Sequence, residues 1–554
     1  MSRQPNARAP GCQHPVLAEK MEPRRVRTEW LIVAVLLAAL AVRLITAAFL
    51  RQPGYADAYY YSNLAGSLQR GEGFVDYVIW NYLDAPRAIP QPACLYWMPL
   101  TACVIYPFYL LFGVSFAVAQ LPFVMLSTVL VWITYRVSIE LSGRRDQALL
   151  AAVLVTFSGF YTVFWVTTDS FALFAVVCSL ALYAAGRGLR SGGAGWFALS
   201  GGCAALAHLT RADGALVLVA VCVAVAAWGV GGRVHRRPAL RGLALTIIVY
   251  LAVMAPWLVR NWQVVGSPLG SGGLQTLFLR DYDELYSYGR ELTLSHYLAW
   301  GWKAILGSKL QATWFALQNL VAVNLMIFLT PLAVWGLLVW RKRTELLPFA
   351  AYAVILYITM TLLFTFPGMR GGLFHSSAAL LPWLFAAAAC GLRRFVQFMA
   401  RRRPNWTEAS AFKFFAVASA CLALAMSGFL YLRSVRGQPG VTPPWQDRNL
   451  VYRDIGAWIH SQGAAARPVM VNDAPAFYYF TQLPAVSIPN EEPDVVVQAA
   501  HHFGVGYLVL EADHPQPLRD VYDGRAIDPR LDKIETLAGP AGAAVQVWRV
   551  EPER

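Results

Sequence analysis

The sequence predicts a mostly helical, polytopic membrane protein of about eleven transmembrane helices, followed by a small C-terminal α/β domain. Three observations carry this. Of 554 residues, 57% are hydrophobic and 14% charged, whereas a soluble domain carries about a quarter charged residues. Apolar runs of about twenty residues, the length that crosses a bilayer, recur along the chain. After about residue 440 the runs give way to short β-type segments and amphipathic helices. A wholly soluble fold is excluded, and with 13% aromatic residues so is a disordered one. The net charge of +14, from 46 Lys+Arg against 32 Asp+Glu, is concentrated between apolar runs. It therefore reads as membrane topology, with no nucleic acid as partner. Eight cysteines without a CxxC pair read as apolar packing residues, not as disulfides or a zinc site.

The first span follows Arg24, Arg25 and Arg27 and runs from Leu31 to Leu50. No small-residue cleavage site follows it, so it is a retained span behind a cytoplasmic segment, 1–28. Arg43 either snorkels, the favoured reading, or faces the bundle. Residues 51–115 form a long polar and aromatic loop. Its 99–113 stretch dips into the outer leaflet without crossing, because only then do Arg144/Arg145, Arg187/Arg190, Arg233/Arg236/Arg237/Arg241, Arg341/Lys342/Arg343 and Arg393–Arg403 all fall on the cytoplasmic side. The remaining spans are then 116–142, 147–164, 170–189, 196–209, 214–232, 240–259, 319–340, 346–366, 378–395 and 412–433. The expected layout is a membrane domain over 29–436 with outer loops 51–115 and 260–318, and an extracytoplasmic domain over 437–554. In the latter, 449–462 and Asp494–His502 read as helices and Pro468–Val471, Gly506–Leu510 and Val545–Val550 as strands. The chain is expected in the plasma membrane with its N-terminus in the cytoplasm.

This topology gathers the acids, histidines and arginines at the outer ends of the spans, where chemistry is expected. The strongest local signal is Gly54-Tyr55-Ala56-Asp57-Ala58-Tyr59-Tyr60-Tyr61. It is either an interfacial aromatic belt with a solvated Asp or a site at the membrane surface. Other outer elements are Tyr96-Trp97-Met98-Pro99, Thr167-Thr168-Asp169-Ser170, Thr210-Arg211-Ala212-Asp213, Trp257-Leu258-Val259-Arg260-Asn261 and Arg370-Gly371-Gly372 with Phe374-His375-Ser376. Asp169 also suits a helix N-cap. Asp213 suits a cap or a partner for Arg211, and each arginine also suits snorkelling or helix-end pairing.

The order of these elements resembles the GT-C membrane glycosyltransferases, such as the protein O-mannosyltransferases and aminoarabinose transferases, over roughly 29–400. The resemblance implies inverting transfer of a sugar from a polyprenyl-phosphate donor to an extracytoplasmic protein, lipid or envelope glycan. By that resemblance Asp57 is the general base. Arg260, Arg211, Arg370 and His375 meet the donor phosphate. Asp169, Tyr59, Tyr60, Trp97 and Asp213 line the sugar and acceptor pocket. Where many members carry paired acids, this chain has Asp57-Ala58. No cofactor is therefore expected to be required, and a divalent cation would need Asp169 or another distant ligand. The alternative reading is a transporter or flippase of a lipid-linked or small polar substrate. Against it, ionisable residues sit at span ends and not at midplane, and no repeat is visible.

Overall fold

The computed structural model describes residues 23–270, 272–403, 405–439, 441–462, 467–539 and 542–553. Most of the expected segment 1–28, with Cys12, lies outside the described residues.

Helices occur at every expected span. The first is α1 (Pro23–Ala48). After loop helices α2 (Ala56–Gln69) and α3 (Leu100–Phe112) come α4 (Phe116–Ser142), α5 (Arg145–Thr156), α6 (Ser170–Ser191), α7 (Ala194–Thr210), α8 (Ala215–Val230) and α9 (Arg236–Val265). Then follow α10 (Trp302–Gln318), α11 (Thr330–Trp340), α12 (Leu347–Ile358), α13 (Leu381–Ala400) and α14 (Glu408–Arg436). Among the described residues, eight helical stretches are long and apolar enough to cross a membrane. The other expected spans are short or interrupted. The chain is a polytopic membrane protein.

The caps follow from sequence. Ser115 Oγ accepts the Val118 amide at the start of α4, and Gly143 closes α4 at φ +66°. The α3 helix spans thirteen residues, about 20 Å at 1.5 Å per residue, too short to cross. Leu110, Leu111 and Phe112 at its far end stay exposed.

Two details depart from expectation. Arg43 does not snorkel. It is 1% exposed, with Nη2 donating to Val155 O at 3.3 Å. Loop 260–318 is partly helical: α10 occupies its end, with Trp302, Leu306, Leu310 and Trp314 forming an exposed stripe at four-residue steps. Gly301, Lys303, Gly307 and Lys309 interrupt this run and mask the period in the sequence. The following span then breaks where Met326 and Ile327 take positive φ of 48° and 61°. The break keeps its amides paired, with Ile327 N donating to Val321 O and Phe328 N to Met326 O, both at 2.7 Å, and Asn324 Nδ2 ties it to Tyr161 Oη (3.1 Å).

The tail carries helices α15 (Val451–Ser461), α16 (Ala474–Thr481) and α17 (Pro493–His502) around a six-stranded sheet. One edge strand, β1 (Val78–Ile79), comes from the first loop. The others are β2 (Val469–Val471), β3 (Ala485–Ser487), β4 (Tyr507–Leu510), β5 (Leu531–Ala538) and β6 (Ala544–Val550), in the order β1-β3-β2-β4-β6-β5. The first four run parallel, and β6 and β5 add antiparallel. Val78 pairs with Ala485. A two-residue strand has no periodicity for a sequence to display, so this pairing was not expected. One continuous apolar core runs from α1 through α13 into the inner face of the tail.

Candidate functional site

Gly54 sits at φ +85°, where a Cβ would lie 2.4–2.7 Å from the Trp445 indole. Trp445 is fixed in turn, since its Nε1 donates to Gln52 O and Gln52 Nε2 donates to Trp445 O, both at 2.8 Å. The tail thus sets the point where the chain leaves α1 and enters α2. Asp57 lies in the first turn of α2, where the helix dipole favours a carboxylate.

Asp169 is fully buried at the N-cap of α6. Its Oδ1 accepts the Ser170 amide, and its Oδ2 accepts from Tyr55 Oη (2.8 Å) and meets His375 Nε2 (2.8 Å). His375 stands on the helical turn Leu373–Ser377. Its Nδ1 faces Gly371 O at 2.8 Å, and its ring stacks on Phe171 with centroids 3.8 Å apart. Both ring nitrogens therefore face oxygens, which fixes the ring's rotation. Asp57 Oδ2 lies 3.9 Å from the same Nε2, and the Asp57 side chain keeps 28% of its surface exposed.

The network continues through Ser170, whose Oγ accepts from Arg211 Nη1 at 3.3 Å. Arg211 Nε donates to Asp213 Oδ1 at 2.9 Å, and Ser376 Oγ donates to Asp213 Oδ2. Four separated segments thus converge: 55–57, 169–170, 211–213 and 375–376.

The two carboxylates are pushed apart. Burial, and then the charge of Asp169, raise Asp57 to about 6. Burial works the same way on Asp169, but His375, the Ser170 amide and the Tyr55 hydroxyl outweigh it and hold Asp169 below the usual carboxylate range. One carboxylate is locked as an anion, and the other, more exposed, titrates near neutrality.

Asp57, Asp169 and His375 offer ligand atoms within 4.8 Å of one another and could hold a divalent cation. The Asp169 oxygen nearest to such an ion already meets His375 Nε2 and the Tyr55 hydroxyl. A cation would have to replace those bonds.

Residues 91–259 match the family described as dolichyl-phosphate-mannose-protein mannosyltransferase. The crystal structure of ArnT from Cupriavidus metallidurans in the apo state aligns at a TM-score of 0.58 and 13% identity, over 94% of this chain and 98% of that one. ArnT bound to undecaprenyl phosphate aligns at 0.53 and 14%, with the same coverage. The chain shares ArnT's GT-C fold. No curated protein matches by sequence.

Within this GT-C fold the remaining sequence-predicted residues fall in three places. Tyr59 turns away from Asp57: it is buried, donates to Gln52 Oε1 (3.3 Å) and packs on Tyr479 and Phe480 of the tail. Tyr60 accepts the Cys94 amide at 2.9 Å and packs on Trp97, which packs on Trp80, both at 4.2 Å. Arg260 lies against Trp257 (4.8 Å) and Phe74 (5.9 Å) and donates to Asn261 Oδ1 at 3.0 Å. It joins no ion pair with the carboxylate network. Arg370 is exposed over the Tyr282 ring at 5.3 Å and has no carboxylate within salt-bridge distance among the described residues. Tyr282 lies within electrostatic reach of both Arg370 and Asp57.

Sequence reading assigned no role to Tyr55, Ser170, Ser376 or Tyr282. The first three adjoin singled-out residues, and that adjacency was the available signal. Tyr282 had none, because it arrives from the middle of a long loop. A cleft of about 850 Å³ lies elsewhere: it is lined by Ser62, Asn63 and Gly66 of α2, by Arg70 just after it and by Tyr479 of the tail. Asp57 and Gly66 are nine residues apart, half a rotation round the helix. This cleft therefore faces away from the carboxylates.

Proposed function

We propose that this protein is a membrane glycosyltransferase that moves a sugar from a polyprenyl-phosphate-linked donor to a hydroxyl of an extracytoplasmic acceptor. The observation that carries the reading is the pairing of a half-buried Asp57, titrating near 6, with a locked Asp169–His375 pair at the loop end of the bundle. The fold and the mannosyltransferase family match over 91–259 support the same class of reaction. ArnT's complex with undecaprenyl phosphate supports a lipid-phosphate donor.

The acceptor O–H gives its proton to Asp57 as its oxygen attacks the anomeric carbon. The bond from that carbon to the phosphate oxygen breaks, and the polyprenyl phosphate leaves with the electron pair. Attack opposite the leaving group inverts the centre. Negative charge grows on the phosphate, where an exposed guanidinium without a carboxylate partner stabilises it best. Arg370 meets that description; Arg211, already paired with Asp213, orders the network. Arg260, held against Trp257 and Phe74, is assigned to the donor phosphate beside Arg370. Asp169 raises the basicity of Asp57, while His375, 3.9 Å from Asp57, works against that rise and holds Asp169 in place. The reading assigns no step to a cation; one bound by Asp57, Asp169 and His375 would have to displace the His375–Asp169 bond.

The test is transfer from radiolabelled polyprenyl-phosphate sugars by the purified chain in proteoliposomes. Glycoside formation that disappears in Asp57→Asn supports the reading. Vectorial movement of the donor without glycoside formation would establish the transporter instead. For orientation, a cysteine placed at Gly289 or Asp513 is expected to label from outside sealed cells, and one at Arg237 is not. Labelling at 237 would reverse the assignment.

A further inference from the structure

The end of the bundle opposite the carboxylate network holds a crevice of about 420 Å³. It opens where α4, α11 and α13 reach their C-terminal turns and α5 begins. Its floor is apolar: Leu141, Val339, Trp340 and Cys390. Its rim carries Arg144, Arg343, Arg393 and Arg394, and no carboxylate lines it.

The charges around it do not cancel. Arg393, 4% exposed, pairs with Asp146 and Glu408. Arg144 shares Asp146 at 3.4 Å. Arg343 and Arg394 have no carboxylate partner among the described residues, and Arg394 reaches only Gln397 Oε1 at 3.3 Å. Two carboxylates thus stand against four arginines. Helix C-termini add partial negative charge, each worth about half an elementary charge at most, which leaves the rim cationic.

A second observation points to a missing ligand. Arg393 lines the crevice, is 4% exposed, and its Nε–H has no hydrogen-bond acceptor among the described residues. Buried polar groups normally find a partner. An excess of arginines near a membrane is explained by topology alone. Topology does not explain a cavity with apolar residues in its lining and a buried guanidinium N–H left without an acceptor.

We infer that this crevice binds the phosphate headgroup of an anionic phospholipid of the adjacent leaflet, with the phosphate among Arg343, Arg393 and Arg394 and the glycerol backbone over Trp340 and Leu141. Basic pockets between transmembrane helices take such headgroups. The chemistry is independent of the sugar-transfer reading, because the crevice lies a full bundle length from Asp57.

The test is native mass spectrometry of the full chain, delipidated in detergent and titrated with phosphatidylglycerol or with phosphatidylcholine of the same acyl chains. Phosphatidylglycerol is expected to bind with at least tenfold preference. The double variant R343A/R394A removes the two unpartnered cations without stranding a carboxylate, and is expected to weaken that binding about 25-fold, about fivefold per arginine. R343K/R394K should recover most of it. R401A/R402A, which alters arginines outside the crevice, should leave it unchanged. Equal binding of the two lipids, or equal losses in R343A/R394A and R401A/R402A, would overturn the inference. Displacement of phosphatidylglycerol by inorganic phosphate as readily as by a short-chain phosphatidylglycerol would assign the crevice to a soluble phosphate and overturn the lipid assignment.

Discussion

The two ends of the helical bundle handle charge in opposite ways. At the loop end, Asp57, Asp169, His375, Arg211 and Asp213 form a network in which nearly every polar atom has a partner and one carboxylate stays partly exposed. At the other end, four arginines outnumber their carboxylates, and buried groups lack partners. A satisfied network preorganises one reactive group, because it does not rearrange when charge develops. An unsatisfied one needs a counter-ion from outside. The difference separates a site that acts from a site that binds, and each prediction below tests one half of it.

The largest effect is expected at Asp57. Asp57→Asn keeps the shape and loses the base, so turnover should fall by about 100- to 10,000-fold with donor binding little changed. Transfer at the wild-type rate by a folded variant would remove Asp57 from the mechanism. Arg370→Ala is expected to act on binding as well. Loss of a charge-assisted hydrogen bond costs about 1.5–3 kcal/mol, so the KM for donor should rise by roughly 10- to 100-fold. An unchanged KM would move the phosphate to Arg211 or Arg260.

A smaller effect tests the coupling inside the network. A general base must be deprotonated, so kcat/KM should rise with pH through about 6 and level off above it. After burial, the Asp169 charge is the next cause that raises Asp57. Asp169→Asn removes that charge, so the Asp57 value falls and the acidic limb of the profile moves to lower pH. A limb that stays at the same pH would show that the two carboxylates do not sense each other. Chelation by EDTA should leave the rate unchanged, and restoration of a lost rate by a divalent cation would place an ion between Asp57, Asp169 and His375.

The fold was legible where physics repeats along the chain. The apolar period located the helical segments, eight of which are long and apolar enough to cross a membrane among the described residues, and the cap at Asp169 is local chemistry. Asp57, Asp169, Arg211, Asp213 and His375 were named from their common outer location, although their mutual bonds were not. What stayed hidden depends on long-range geometry. Tyr59 was grouped with Tyr60 and Asp57 by adjacency, but one residue along a helix is a turn of about 100°, and that places Tyr59 on the tail. The β1 strand holds two residues and acquires its conformation only from β3, 400 positions further on. Arg43 was read as snorkelling because nothing in its own span shows that Val155 and Trp165 wait beside it.

The smallest predicted effect concerns how the tail holds the reactive end in place. Trp445 and Gln52 exchange two hydrogen bonds, and the indole fills the space a Cβ at Gly54 would need. Gly54→Ala therefore meets two obstacles: a positive φ that disfavours any side chain, and a close contact with a rigid ring. A non-glycine residue held in such a conformation costs about 1–3 kcal/mol. Part of this can be relieved by moving Trp445 away. The outcome should be a lower melting temperature in detergent and a several-fold lower turnover, because Tyr55 and Asp57 follow directly in the chain. Trp445→Ala in the same chain removes the contact but not the φ penalty, so Gly54→Ala should cost less in the Trp445→Ala background than alone. Additive losses in the double variant would mean that the tail does not position the start of α2, and that the Asp57 end of the bundle is organised by the membrane helices alone.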